Sequence, residues 1–188
     1  DFNRGWLSGS DLEQKFLQGS PIAATQLTSV SLTGLRVDRD GAIALANCLN
    51  GLTRLETLKL HLSHSRVTRF GAAALGALGR LGCLTYYDLD LGAGHLTDAG
   101  VGRLCGSIAT RKTGLRHLKL NVGHNSIGPC GASRLASLRV PSLHLDVGYN
   151  HRLGDTGILA LVPLTKKTGI VTVVLDGNTM SQSTLYAL

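Results

Sequence analysis

The feature that most constrains the fold of this chain is a short aliphatic pattern that returns six times. The pattern reads L-x-x-L-x-L with conservative substitutions, and it begins at Leu27, Leu55, Leu84, Leu115, Val140 and Ile170. Subtracting successive starts gives spacings of 28, 29, 31, 25 and 30 residues. A period of this length indicates stacked structural units, because one such unit cannot bury its apolar face alone.

A second half follows most of these strand patterns and has helical periodicity. The four middle repeats place a glycine after the turn, at Gly71, Gly100, Gly131 and Gly157. Apolar residues then recur about four positions apart, as in Leu75 and Leu78, which predicts a short amphipathic helix. Each unit is therefore predicted to run strand, turn, helix, loop.

Stacking such units predicts an α/β solenoid. The strands form a parallel sheet on one side and the helices form a layer on the other. Because helices are wider than strands, we expect a short right-handed arc with the sheet on the concave face and the helices on the convex face.

The segments "LKLNVGHNSIGPCGASRLASL" and "LHLDVGYNHRLGDTGILAL" carry a resemblance to a known family. From about Leu27 onward the chain resembles leucine-rich repeat proteins of the ribonuclease-inhibitor-like class. The asparagine expected in the turn is present at Asn125, Asn150 and Asn178, and the other three repeats have Leu35, Ser65 and Gly94 there. The resemblance implies binding of a protein partner through the concave strands.

The ends of the stack are predicted to be closed by other segments. Residues 1–26 are interpreted as an N-terminal capping segment with a short helix, because Ser10 and Glu13 form a capping-box pattern. Residues 27–188 then hold about six repeats. The last repeat is either sealed by Tyr186 and Leu188 or incomplete.

Charge and cysteine content limit the environment of the protein. The formal net charge is +7, which permits contact with an acidic partner or a nucleic acid without identifying either. Cys48, Cys83, Cys105 and Cys130 are too widely spaced for a local zinc site, and we expect buried free thiols. This favours a reducing intracellular compartment, cytoplasmic or organellar. The sequence has no apolar run long enough to span a bilayer.

Strand alternation predicts which side chains face a partner. Residues on either side of the inward leucines project from the concave face. The candidate partner-binding residues are Thr57, Lys59, His61, Tyr86, Asp88, Asp90, His117, Lys119, Asn121, His144, Asp146 and Asp176. With four aspartates among them, this surface is predicted to be polar and slightly acidic, whereas the convex side is basic.

Catalytic and metal-binding patterns are weak. The chain lacks the glycine-rich phosphate loops and the G-x-S-x-G nucleophile motif. Histidines and aspartates on neighbouring strands, such as His61 and Asp90, could approach a divalent ion, but their spacing fits solvated surface residues equally well. We therefore expect no catalytic residues, no cofactor and no metal.

Two functions are compatible with these patterns. The first is a non-catalytic protein–protein interaction module that uses the concave strands. The alternative is an architectural subunit of a ribosomal or organellar complex, docked through its basic convex side or its solenoid ends. In that case RNA in the assembly would contact the basic side.

Overall fold

The computed structural model describes residues 26–108, 114–166 and 169–186. The predicted capping segment at 1–26 lies almost entirely outside the described residues. Strands and helices alternate along the rest of the chain. The strands are β1 (Ser29–Thr33), β2 (Thr57–His61), β3 (Tyr86–Asp90), β4 (His117–Asn121), β5 (Ser142–Asp146) and β6 (Ile170–Val174). The helices are α1 (Arg39–Asn50), α2 (Thr68–Ala77), α3 (Asp98–Ile108), α4 (Pro129–Ala136), α5 (Gly154–Leu161) and α6 (Gln182–Leu185).

The six strands form one open parallel sheet in chain order, β1 to β6. Each strand pairs with the next in the same register, so that Leu60 lies opposite Leu32 on one side and Leu89 on the other. At this position Leu60, Leu89, Leu120 and Leu145 are fully buried between the sheet and the helices, and Leu32 in the first strand is half-buried. The predicted α/β solenoid, with strands on one face and helices on the other, is confirmed.

The helices pack closely because small residues face their neighbours. Gly71 lies in the first turn of α2, where an added methyl group would be 2.9 Å from the Cβ of Ala42. Leu45, Leu75, Leu104 and Leu135 bury the inward faces of four successive helices. None of the helices among the described residues has both the length and the apolar character needed to cross a bilayer.

Turn asparagines connect neighbouring repeats by hydrogen bonds. The side chain of Asn150 is fully buried; its Oδ1 accepts the Ile127 N–H at 3.0 Å, and its Nδ2 donates to the carbonyls of Val122 and Val147. In an earlier repeat Ser65 replaces the asparagine, and its hydroxyl accepts the Val37 N–H at 3.0 Å. Backbone groups that would otherwise be buried without partners are thus satisfied from the adjacent repeat.

A second contact between repeats runs through residues with left-handed backbone. His124 and Tyr149 occupy equivalent turn positions with φ of 54° and 55°. Their rings stack with centroids 4.2 Å apart and planes 7° apart. At the next equivalent turn Gly177 has φ of 68°, and a methyl group there would overlap the Tyr149 ring.

The sheet register corrects the sequence alignment of the last repeat. Ile170 pairs with Ser142, so the sixth strand lies two residues earlier in the repeat than its aliphatic pattern predicts. Val174, instead of Asp176, lies opposite Asp146. The error arose because Ile170–Val174 is apolar or β-branched throughout, and such a run matches the pattern equally well after a shift of two residues.

The cysteines are free, but their expected burial is only partly correct. Cys105 is buried in α3, and Cys48 is half-buried. Cys83 and Cys130 are exposed, so the prediction of buried thiols is wrong for these two residues. Cys83 lies in the loop before β3, and Cys130 lies in the first turn of α4 away from the sheet.

Candidate functional site

The candidate surface is the side of the sheet that faces away from the helices. The strand register places its side chains in three rows that cross the strands. The rows are Thr57, Tyr86, His117 and Ser142; then Lys59, Asp88, Lys119 and His144; then His61, Asp90, Asn121 and Asp146. Eleven of the twelve candidate residues therefore lie on one face, and the exception is Asp176, two residues beyond the end of β6.

Asp88 lies at the centre of this face but is only 6% exposed. Its Oδ2 is 3.4 Å from His61 Nε2 and 3.7 Å from Lys119 Nζ. The side chains of His61 and Lys119 retain 37% and 49% of their accessible area. Side chains from both flanking strands thus cover the carboxylate, and the ammonium of Lys119 offsets its charge.

Tyr86 forms a second contact group on the same strands. Lys59 Nζ lies 5.9 Å from the centre of the Tyr86 ring, within the range of a cation–π interaction. On the other side the imidazole of His117 lies 6.3 Å from the same ring, tilted by 36°. Lys59 and His117 are exposed and Tyr86 is half-buried. This group presents an aromatic ring, a type of side chain enriched at the centre of protein interfaces, with polar side chains around it of the kind that form the rim.

The third row supports the backbone as well as facing solvent. Asp90, Asn121 and Asp146 each accept, through Oδ1, the N–H of the glycine two residues later, at 2.8 Å in all three cases. These are Asx turns, which hold the chain as it leaves each strand. The three side chains are half-buried. The row is therefore partly used by the fold itself.

These positions change the predicted charge of the concave face. Of the four aspartates behind the expectation of a slightly acidic surface, Asp88 is buried and Asp176 lies in the turn after β6. Asp90 and Asp146 remain on this face as half-buried carboxylates that accept backbone N–H groups. Lys59 and Lys119 are the exposed charges of the middle row. Thr57 and His144, the outer candidates, are half-buried.

Sequence reasoning missed a groove on another side of the molecule, where the helices begin. Three adjoining depressions of about 310, 390 and 490 Å³ lie along α1 to α4. The first two border the first turns of α1, α2 and α3, and the third extends to Arg103 in the middle of α3 and Arg134 in the last turn of α4. The first two share Thr68 and His95, and the last two share Ala99. We call this the helix-start groove. Its one sequence signal is the recurrence of an arginine in each of the first four helices.

The described residues contain no cluster of side chains with the geometry of a metal site. Within residues 26–108, 114–166 and 169–186, no three histidine, cysteine, aspartate or glutamate side chains converge as a ligand set. His61 and Asp88 approach each other, but the third nearby polar group is the ammonium of Lys119, which cannot ligate a cation.

Comparison with known proteins agrees with this architecture. A family model described as leucine-rich repeat matches residues 114–136 and 142–162, which span β4, α4, β5 and α5. The matches support a leucine-rich repeat protein; such domains generally mediate protein–protein interactions and are generally non-enzymatic. No curated protein matches the chain.

Proposed function

We propose that this chain is a non-catalytic interaction module that binds a protein partner through the concave face. The observation that carries the proposal is the group formed by Lys59, Tyr86, His117 and Lys119 on three adjacent strands. It offers an aromatic anchor with charged side chains beside it on a face that no helix of the described residues covers. Tyrosine is enriched among the residues that contribute most to binding, and charged side chains around it suit the polar rim of an interface.

The rigidity of the sheet supports this proposal. Strand pairing, the buried turn asparagines and the Asx turns fix the backbone beneath the exposed side chains. A preformed surface loses little conformational entropy when a partner docks, so more of the contact energy remains as affinity.

The twelve candidate residues are proposed to contribute in two ways. Thr57, Lys59, Tyr86, His117, Lys119 and His144 would contact the partner directly. His61 and Asp88 would hold Lys119 in place, and Asp90, Asn121 and Asp146 would shape the turns at the edge of the face. Asp176 would not take part, because it lies past the sheet.

The test begins with capture of the partner by affinity purification and its identification by mass spectrometry. The identified partner is then titrated against the double variant Lys59→Ala/Lys119→Ala and, separately, against Tyr86→Ala. We expect each to weaken binding by about tenfold or more, the loss typical of a central interface residue. The matched control is Arg139→Ala/Lys166→Ala, which also removes two exposed cations but lies outside the strands.

The proposal is wrong if the control weakens binding as much as the concave variants, or if the concave variants bind normally. Circular dichroism on each variant shows that the fold is retained.

Assignment to the ribonuclease-inhibitor-like class is also a proposal. It is supported by the convex elements, since α1, α2 and α3 are helices of 12, 10 and 11 residues. Helices of this length on the convex side are what the sequence resemblance implies.

An architectural role in a larger assembly is the second candidate function. The observation that favours it is the helix-start groove, which lies away from the concave strands and is rich in arginine.

A further inference from the structure

The helix-start groove carries an excess of unpaired positive charge. Its lining includes Arg69, Arg103 and Arg134, from α2, α3 and α4, and all three side chains are exposed. Among the residues that the structure describes, none of these three arginines forms an ion pair with a carboxylate. The groove therefore has guanidinium groups available for an anionic partner.

The nearby carboxylates are already engaged elsewhere. Asp40 forms an ion pair with Arg39 at 2.8 Å, and this offsets the charge of the fourth arginine of the groove. Asp98 accepts the N–H of Gly128 at 2.7 Å. Neither carboxylate forms an ion pair with the arginines of α2 to α4. Asp98 lines the groove and keeps its negative charge, but Arg69, Arg103 and Arg134 outnumber it, so the groove retains a net positive charge.

An apolar side chain lies among these charges. Phe70 is 50% exposed at the middle of the groove. The guanidinium carbon of Arg69 lies 4.8 Å from the centre of its ring. The arrangement combines a hydrophobic contact with charge-assisted hydrogen bonding, which suits a partner that alternates carboxylates with a large apolar residue.

We propose that the helix-start groove binds an acidic polypeptide segment that contains a large apolar side chain. The inference gives a partner chemistry to the second candidate function, and it does not depend on the concave face. Arginines on successive helices would pair with the carboxylates, and Phe70 would contact the apolar residue.

The same features argue against a nucleic acid in this groove. Single strands bind best where successive open aromatic faces stack with the bases. Among the described residues that line the groove, Phe70 supplies the one phenyl ring, and Arg69 covers one face of that ring. Charge without a stacking platform favours carboxylates spaced along a peptide.

The test uses fluorescence anisotropy with a labelled synthetic peptide rich in glutamate around a central Leu-Phe pair. A second peptide replaces every glutamate with glutamine, and oligouridine serves as the nucleic-acid probe. We expect saturable binding of the acidic peptide below about 1 mM, weaker binding as salt is added, and little binding of the glutamine peptide.

Variants then locate the binding. Arg69→Glu/Arg103→Glu reverses two groove charges, and we expect the Kd for the acidic peptide to rise at least about tenfold. Glutamate in the first turn of α2 is compatible with the helix dipole, so this variant is expected to fold. Arg139→Glu/Lys166→Glu makes the same charge change elsewhere and is expected to alter the Kd by less than about threefold.

Four results would overturn the proposal: no saturable peptide binding, equal binding of the glutamine peptide, equal loss in the control variant, or tighter groove-dependent binding of oligouridine. The concave variant Lys59→Ala/Lys119→Ala serves as an independent reference. If it keeps peptide binding while losing the captured partner, the two surfaces act separately.

Discussion

Replacing Asn150 with alanine tests whether the turn asparagines stabilise the solenoid as the structure indicates. The substitution removes one acceptor and one donor group from a side chain that is fully buried. The Ile127 N–H loses its acceptor, and an unsatisfied buried N–H costs about 1–3 kcal/mol.

The three carbonyls that Asn150 contacts are less affected, because each has a second donor; for Gly148 O this is the His124 N–H. Val122 O also accepts from Asn125, and Val147 O also accepts from Asn178. Losing one of two bonds to each costs a further ~0.5–1 kcal/mol. Together these effects predict that Asn150→Ala lowers the free energy of unfolding by about 3 kcal/mol, a large part of the stability of a domain.

Asn178→Ala is the matched comparison. Asn178 makes the same type of bonds, accepting the Asn150 N–H at 2.7 Å, but it is only partly buried at the last turn. Water can replace part of what is lost there, so we expect a decrease of about 1 kcal/mol.

Urea unfolding followed by far-UV circular dichroism measures both values. Hydrogen exchange at the Ile127 amide reports the local effect. The reasoning fails if Asn150→Ala costs less than about 1 kcal/mol, or if the two variants lose equal stability with unchanged m-values.

Three further predictions concern single side chains. Tyr87→Phe removes the buried hydroxyl that donates to a carbonyl of α2 at 2.9 Å, and urea unfolding should show a loss of about 1–2 kcal/mol; no measurable loss would contradict the role of this bond. Burial raises the pKa of Cys105 to about 12, so iodoacetamide at mildly alkaline pH should modify exposed Cys130 but leave Cys105 intact by mass spectrometry until the protein is unfolded. The backbone N–H of Ser181 lowers the pKa of Asp155, so this carboxylate stabilises the fold above its unfolded pKa and loses that effect as pH falls through its folded pKa. The difference in melting temperature between wild type and Asp155→Asn should therefore shrink on acidification, and a constant difference would refute the coupling.

The sequence predicted the strands well because each repeat carries its own pattern of buried leucines. Leu58 and Leu60, for example, point inward as alternation predicts, and the parallel register follows from stacking equivalent positions. The pattern did not predict the register of β6, because this strand has almost no polar residues to distinguish inward from outward positions.

The candidate site was less predictable because its properties depend on neighbouring strands. Alternation correctly placed Asp88 on the concave face, but its burial results from His61 and Lys119, which are 27 and 31 residues away in the chain. The Asx turns of Asp90 and Asp146, by contrast, are local: each carboxylate accepts the N–H of the glycine two residues later, so the sequence contained a signal for them. The helix-start groove was not predicted, because it depends on the spacing between neighbouring helices, which the sequence of a single repeat does not specify.

The stacked rings of His124 and Tyr149 restrict how this chain can diverge. Since the Tyr149 ring fills the space that a side chain at Gly177 would need, the size of one turn residue limits the size allowed in the following repeat. A larger residue at 177 would be tolerated only together with a smaller one at 149. Substitutions at positions 149 and 177 should therefore occur in compensating pairs, so that the last repeat cannot be exchanged here without regard to its neighbour.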